Sequence, residues 1–135
     1  MAQAPLPNGA GGYQLGDGNL TEVLMTTQTA PAVKGAAATL TAEELTGGLI
    51  SYTGAASVNV TLPTVATVEE LVSSAKIDSA FDVSFINSSA TGVATVVAGT
   101  GWTLSGVAAL SGVTSSTWRA RKTGDGSWTF YRIAG

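Results

Sequence analysis

The chain has 135 residues, a net charge of −3, only 11% charged residues, and neither cysteine nor histidine. The length fits one domain with a core of its own. The two missing residue types exclude disulfides, thiolate chemistry, Ser–His–Asp or Cys–His catalysis and histidine metal ligation. The acidic balance gives no general pull toward nucleic acid or an anionic membrane.

Residues 1–36 hold Pro5, Pro7, Pro31 and many glycines, with few large apolar side chains. That composition reads as an extended N-terminal arm. Its opening MAQAPLPNGAGG has neither the basic nor the apolar region of a signal peptide. No apolar run approaches the ~20 residues of a membrane helix. Only Asn19–Thr27 has the pattern of a short strand or helical turn.

Residues 37–135 read as the folded body. Ala38–Thr41 is a short strand. Thr41 stands three residues before Glu44, the spacing of a capping box, so Thr41–Leu45 reads as one helical turn. Leu49–Thr53 is a strand closed by Gly54. Ser57–Leu62 alternates, with Val58, Val60 and Leu62 on one face, and Pro63 ends it. Thr67–Ala75 is the best helix, with Thr67 as cap, Glu70 three residues on, and Val68, Leu71, Val72 and Ala75 in a stripe.

Ala80–Asn87 is a strand with Phe81, Val83 and Phe85 inward. Asn87–Gly92 is a turn, followed by strands at Val93–Ala98 and Trp102–Leu104. Thr114–Lys122 and Ser127–Ile133 flank a hairpin signalled by Asp125-Gly126. About eight strands at this spacing, with no βαβ alternation, predict an all-β antiparallel sandwich with one short helix.

Residues 99–106, GTGWTLSG, raise the question of a phosphate loop. A P-loop needs lysine and then Ser or Thr after its last glycine, but Gly106 is followed by Val107-Ala108-Ala109. A dinucleotide fingerprint needs a third glycine where Leu104 stands. The run reads as a strand connection delivering Trp102 and Leu104 to a sheet. Glu43-Glu44 and Glu69-Glu70 sit in helical segments, where adjacent residues do not face each other. Asp78 and Asp82 lack the further oxygen ligands of a calcium site. No catalytic, cofactor or metal residue is expected.

Lys34 and Lys76 are the only bases before residue 100, against eight acids; Arg119, Arg121, Lys122 and Arg132 follow, against Asp125 alone. This C-terminal basic strip reads first as a solvated strand face and second as a docking surface for an acidic partner. Period-two spacing puts Trp118 opposite to Arg119, so a core tryptophan with solvated arginines is favoured over a nucleic-acid platform.

The run TLTAEELTGGLISYTGAASVNVTLPTVATVEELV, then DSAFDVSFINSSATGVATVVAGTGWTLSG and STWRARKTGDGSWTFYRI, resembles a small β-domain of tailed-bacteriophage virion proteins. That domain occurs as capsid cement, or decoration, protein. The resemblance spans residues 39–133 and rests on GGLI at 47–50, TLP at 61–63, F-x-N at 85–87 and GTGWTL at 99–104. It implies a jelly-roll-like sandwich and a homo-oligomer on the outer capsid surface, made in the bacterial cytoplasm and bound to the major capsid protein. Trimer is preferred to dimer by analogy with decoration at threefold positions. The alternative is a receptor- or carbohydrate-binding head domain of a phage fibre. Expected contact residues are Leu6, Tyr13, Leu15, Leu20, Val23, Leu24 and Met25 of the arm, with the strip Arg119, Arg121, Lys122 and Arg132.

Overall fold

The computed structural model describes residues 24–135. Alternating apolar and polar residues make the strands, and capped four-residue spacings make the helices. In chain order they are β1 (Ala32–Lys34), β2 (Ala38–Thr39), α1 (Ala42–Gly47), β3 (Leu49–Tyr52), β4 (Val58–Thr61) and α2 (Val65–Leu71). There follow β5 (Ala80–Asn87), β6 (Ala94–Val97), β7 (Trp102–Ser105), β8 (Ala109–Leu110), β9 (Thr114–Gly124) and β10 (Ser127–Ala134).

The strands form two sheets. One has six strands in the order β1-β3-β5-β9-β10-β7, the other four in the order β2-β4-β6-β8. From β1 to β8 the chain alternates between them, odd strands in the large sheet and even strands in the small one. Most consecutive members of one sheet run the same way: β1, β3 and β5 pair in parallel, as do β2, β4 and β6, whereas β8 closes the small sheet antiparallel to β6. The β9–β10 hairpin is antiparallel and fills the space between β5 and β7.

This corrects the antiparallel expectation, because only the β5–β9, β9–β10 and β6–β8 pairings are antiparallel. The strand order is not the Greek-key order of a jelly roll. A parallel neighbour requires a crossover, and here a strand of the opposite sheet serves as that crossover where α/β proteins use a helix. Turn signals along the sequence mark where a strand stops. They do not say whether the chain turns back beside it or crosses the sandwich.

Three local boundaries also move. The body begins at β1, inside the segment read as arm, because Ala32–Lys34 pairs with Ile50–Tyr52. There are two helices among the described residues. The α1 capping box is as expected: Thr41 Oγ1 accepts from Glu44 N, and Glu44 Oε1 accepts from Thr41 N. The α2 cap is Thr64, not Thr67; its hydroxyl accepts from Thr67 N at 3.4 Å. That earlier start buries Val65 and Val68 and leaves Leu71 at 47% exposure.

One core joins both sheets. Val60, Leu62, Val96 and Leu110 of the small sheet and its flanks meet Ile50, Val83, Phe85 and Trp118 of the large one. Phe130 is central: it stacks on Trp118 at 4.8 Å and meets Phe85 and Trp102 edge-on. The GTGW run is a structural connection. The Trp102 indole donates to the Pro63 carbonyl at 2.7 Å. A Cβ on Gly99 would stand 2.3 Å from the Leu62 carbonyl oxygen, so only glycine allows that approach. At the hairpin, Gly126 takes φ +74, followed by a register shift at Ser127/Trp128, as in a bulged turn.

Candidate functional site

The basic strip lies on β9 and β10, and strand alternation splits it. On β9, Ser116, Trp118, Ala120 and Lys122 are buried, whereas Arg119 is exposed and Arg121 half-buried on the outer face. Cross-strand register then fixes the neighbours. Asp82 of β5 lies opposite Arg119, and Tyr131 of β10 lies on its other side. The Arg119 guanidinium donates to both Asp82 oxygens, at 2.7 and 3.3 Å. This contact holds the Asp82 carboxyl below the usual carboxylate range. Arg121 donates to the Tyr131 hydroxyl at 3.0 and 2.7 Å and to Asp78 at 2.6 Å. The outer face therefore carries two arginines each paired with an aspartate.

Lys122 and Arg132 do different work. Lys122 is buried beneath the sheet, where Nζ donates to the Ala75 carbonyl at 3.1 Å and lies 3.5 Å from Glu69 and 3.4 Å from Asp125. Glu69 accepts from the Trp128 indole at 3.1 Å and from the Gly126 amide at 3.2 Å. One carboxylate thus ties α2 to the β9–β10 hairpin. The indole hydrogen bond, with the Gly126 amide and Lys122, holds the Glu69 carboxyl below its ordinary value.

The sign of the linkage follows from that direction. A carboxyl with a lowered folded pKa contributes stability that is complete above the ordinary glutamate value of about 4.3 and lost as pH falls through the lowered value. Glu69→Gln is therefore expected to lower the melting temperature at pH 7 and to show a smaller deficit against the parent as pH falls below 4. Thermal melts from pH 7 to pH 3 check this; a deficit independent of pH would count against the tether.

The Arg132 side chain lies along the Trp118 ring, with its guanidinium carbon 5.9 Å from the centroid. Nη1 donates to the carbonyls of Val107 and Ala109 at 2.9 and 2.8 Å. Its Nε is buried and without a partner. It lines a shallow groove of about 390 Å³ at the far edge of the large sheet, with Val107, Ala109, Ser111 and Ile133. A second groove, of about 450 Å³, runs between the starts of α1 and α2, beside Leu71.

Of the arm residues, Leu6, Tyr13, Leu15, Leu20 and Val23 lie outside the described residues. Leu24 and Met25 are 91% and 78% exposed. They begin an extended segment with no secondary structure that runs to β1 and is exposed throughout residues 24–31. Gln28 pins it to α1, donating to the Gly47 carbonyl at 2.7 Å. The structure does not bring this segment and the basic strip together: β1 and β7 are opposite edges of the large sheet.

The sequence reading missed Asp78, Asp82 and Tyr131 as the arginines' partners, and Val107 and Ile133 as exposed apolar residues at 68% and 53%. Local sequence carries no signal for the first group, since Asp82 and Arg119 are 37 residues apart. Among the described residues, no group of three acidic residues is placed to hold a metal, and no helix is long and apolar enough to cross a membrane.

Fold and surface together define a two-sheet β-sandwich with an exposed apolar lead segment. No protein-family model, curated protein or solved structure matches the chain.

Proposed function

We propose that this chain is a structural protein of a tailed-phage head, a cement or decoration protein that binds the outer capsid surface and bridges neighbouring major capsid protein subunits. The observation that carries this reading is the exposed segment from Leu24, with its large apolar side chains, leading into a rigid sandwich. Apolar surface of this kind on a soluble chain marks an interaction element. The resemblance adds support, since GGLI, TLP, F-x-N and GTGWTL all fall at joints of this frame. Such a protein acts by binding the assembled shell in preference to free subunits, so its stabilisation follows mass action and multiplies over repeated sites.

The arm carries the larger share of binding. Exposed ion pairs are worth about 0–1 kcal/mol each, and Arg119 and Arg121 are already engaged within the chain. The fibre-head alternative is less well supported, because Trp102, Trp118 and Trp128 are all buried and offer no aromatic platform for a sugar. The test deletes residues 1–30 in one variant and reverses Arg119 and Arg121 to glutamate in another. Deletion is expected to lower occupancy on emptied phage heads at least tenfold and to remove protection of the shell against heating. Charge reversal is expected to do less. A deleted chain that binds and protects like the intact one overturns the arm mechanism.

A further inference from the structure

We propose that the end of the sandwich opposite the helices is a docking face for a second copy of this chain, joined to it across a two-fold axis. Strand direction collects four loops there: 35–37 after β1, 53–57 after β3, 88–93 after β5 and 111–113 before β9. The helices and the β9–β10 turn lie at the other end. The four loops interlock. A Cβ on Gly92 would stand 2.6 Å from the Ala56 carbonyl oxygen, and one on Gly112 would stand 2.7 Å from that of Ser89. Thr91 donates to the Ala55 carbonyl at 3.0 Å, and Asn87 ties Gly92 to Leu110 from beneath. The result is one close-packed plate.

The plate has the surface chemistry of an interface. Its loops read GAA, TGAAS, SSATGV and SGV, without a charged side chain. Interface cores are depleted in charge, and Gly and Ala have no rotamer freedom to lose on docking. The adjoining Lys34 is turned to Glu44 at 2.8 Å. Val113 is 72% exposed and holds φ +54, a costly conformation for a β-branched residue. Its amide donates to the Ser89 carbonyl at 2.9 Å, so the plate itself holds the valine outward. Backbone strain of this kind clusters at functional positions. Ser111 also lines the groove that carries the exposed Val107 and Ile133, which extends the apolar surface along the flank.

Charge selects a second copy as the occupant. Across a two-fold axis each patch meets its own copy, and like charges brought together are costly. The helical end is acidic: Glu69 and Asp125 share Lys122, and Glu43 and Glu70 have no cation within ion-pair distance among the described residues. Two helical ends therefore repel, whereas two plates bring no charged side chains together. Six strands at ~4.8 Å make the plate about 29 Å wide, and two sheets ~10 Å apart with their outer side chains make it about 20 Å deep. Two such faces bury roughly 1,200 Å², above the about 1,000 Å² of a specific interface. The described lead segment does not cover the plate in its own chain. Gln28 is held to Gly47 at the helical end, and the four residues before it reach at most about 14 Å, against about 27 Å along the eight residues of β5. A two-fold contact closes with two copies, where the resemblance implies three, and it leaves both lead segments at the outer ends of the pair.

The test uses the purified full chain without capsid, so its outcome is independent of the phage reading. Sedimentation equilibrium is expected to show a monomer–dimer equilibrium in the micromolar range. Val113→Asp is expected to raise the dissociation constant at least tenfold, because it sets carboxylates against each other across the axis. Aspartate accepts a positive φ more readily than valine, so the variant monomer should melt no lower than the parent monomer. Ala55→Glu, at a second exposed plate position, is expected to weaken the dimer likewise. Ile77→Asp, at the helical end, and deletion of residues 1–30 are expected to leave it unchanged. A chain that is monomeric at its highest soluble concentration, a trimer, or a dimer indifferent to either plate variant overturns the proposal. So does a dimer lost on Ile77→Asp or on the deletion.

Discussion

Asn87→Asp is expected to destabilise the fold by about 3–5 kcal/mol, although the two side chains have the same shape. Asn87 ends β5 and is 1% exposed. Its amide nitrogen donates to the carbonyls of Gly92 and Leu110, at 2.8 and 3.0 Å, and its oxygen accepts from the Ser89 amide at 3.0 Å. Ser89 continues the network, its hydroxyl accepting from the amides of Thr91 and Gly92. One side chain thus holds the β5–β6 loop and fastens it to β8. A carboxylate keeps the Ser89 contact but turns an acceptor toward two carbonyl oxygens and buries a charge. Each orphaned buried acceptor costs about 1–3 kcal/mol. The deficit should shrink in acid, where the introduced carboxyl takes up a proton and recovers one donor. Denaturant titration of both chains at pH 7 and pH 4 measures it; a loss under 1 kcal/mol at pH 7 would show that the loop does not depend on this amide.

Phe130→Ala should cost about 3–5 kcal/mol, the range for deleting a buried phenylalanine ring. Phe130 is fully buried, and its ring touches Trp118, Phe85 and Trp102. Those three side chains come from β9, β5 and β7, so the ring joins three strands of the large sheet. Neighbouring aromatics are rigid and cannot collapse into the space, which places the loss at the upper part of the range. Phe130→Leu keeps most of the volume and should cost less than half as much. Against a total stability of about 5–15 kcal/mol for a domain, the alanine variant should melt roughly 10–20 °C lower. Calorimetry of the two variants separates ring packing from simple hydrophobicity: equal losses would assign no role to the aromatic contacts.

Both residues fall in segments read from the sequence, though neither was singled out there as a core anchor. Phe130 sits two residues from Trp128 in a run whose alternation is plain. Asn87 was read as the end of a strand, the start of a turn and part of F-x-N, but not as a buried anchor, because its Leu110 partner, 23 residues on, is brought to it by packing. The same division holds for the candidate surface. Alternation on β9 separates Trp118 from Arg119 correctly. Applied one step further it places Lys122 inward, although its charge suggested solvent. What makes that burial tolerable is Glu69, the Ala75 carbonyl and Asp125, all brought in from other elements.

The positions of most strands, though not of β1 and β8, the inward set Val60, Leu62, Val83 and Phe85, the α1 capping box and the Asp125-Gly126 hairpin were readable from residues alone. Each depends on interactions within a few positions: backbone sterics, side-chain periodicity and capping hydrogen bonds. The parallel pairing, the alternation of strands between sheets, the arginine–aspartate pairs and the groove at Arg132 were not readable. A short strand ending at a turn has equally good local reasons to fold back or to cross to the other sheet. The choice is made by burying both sheets' apolar faces in one core at once, a non-local requirement that no stretch of this sequence expresses.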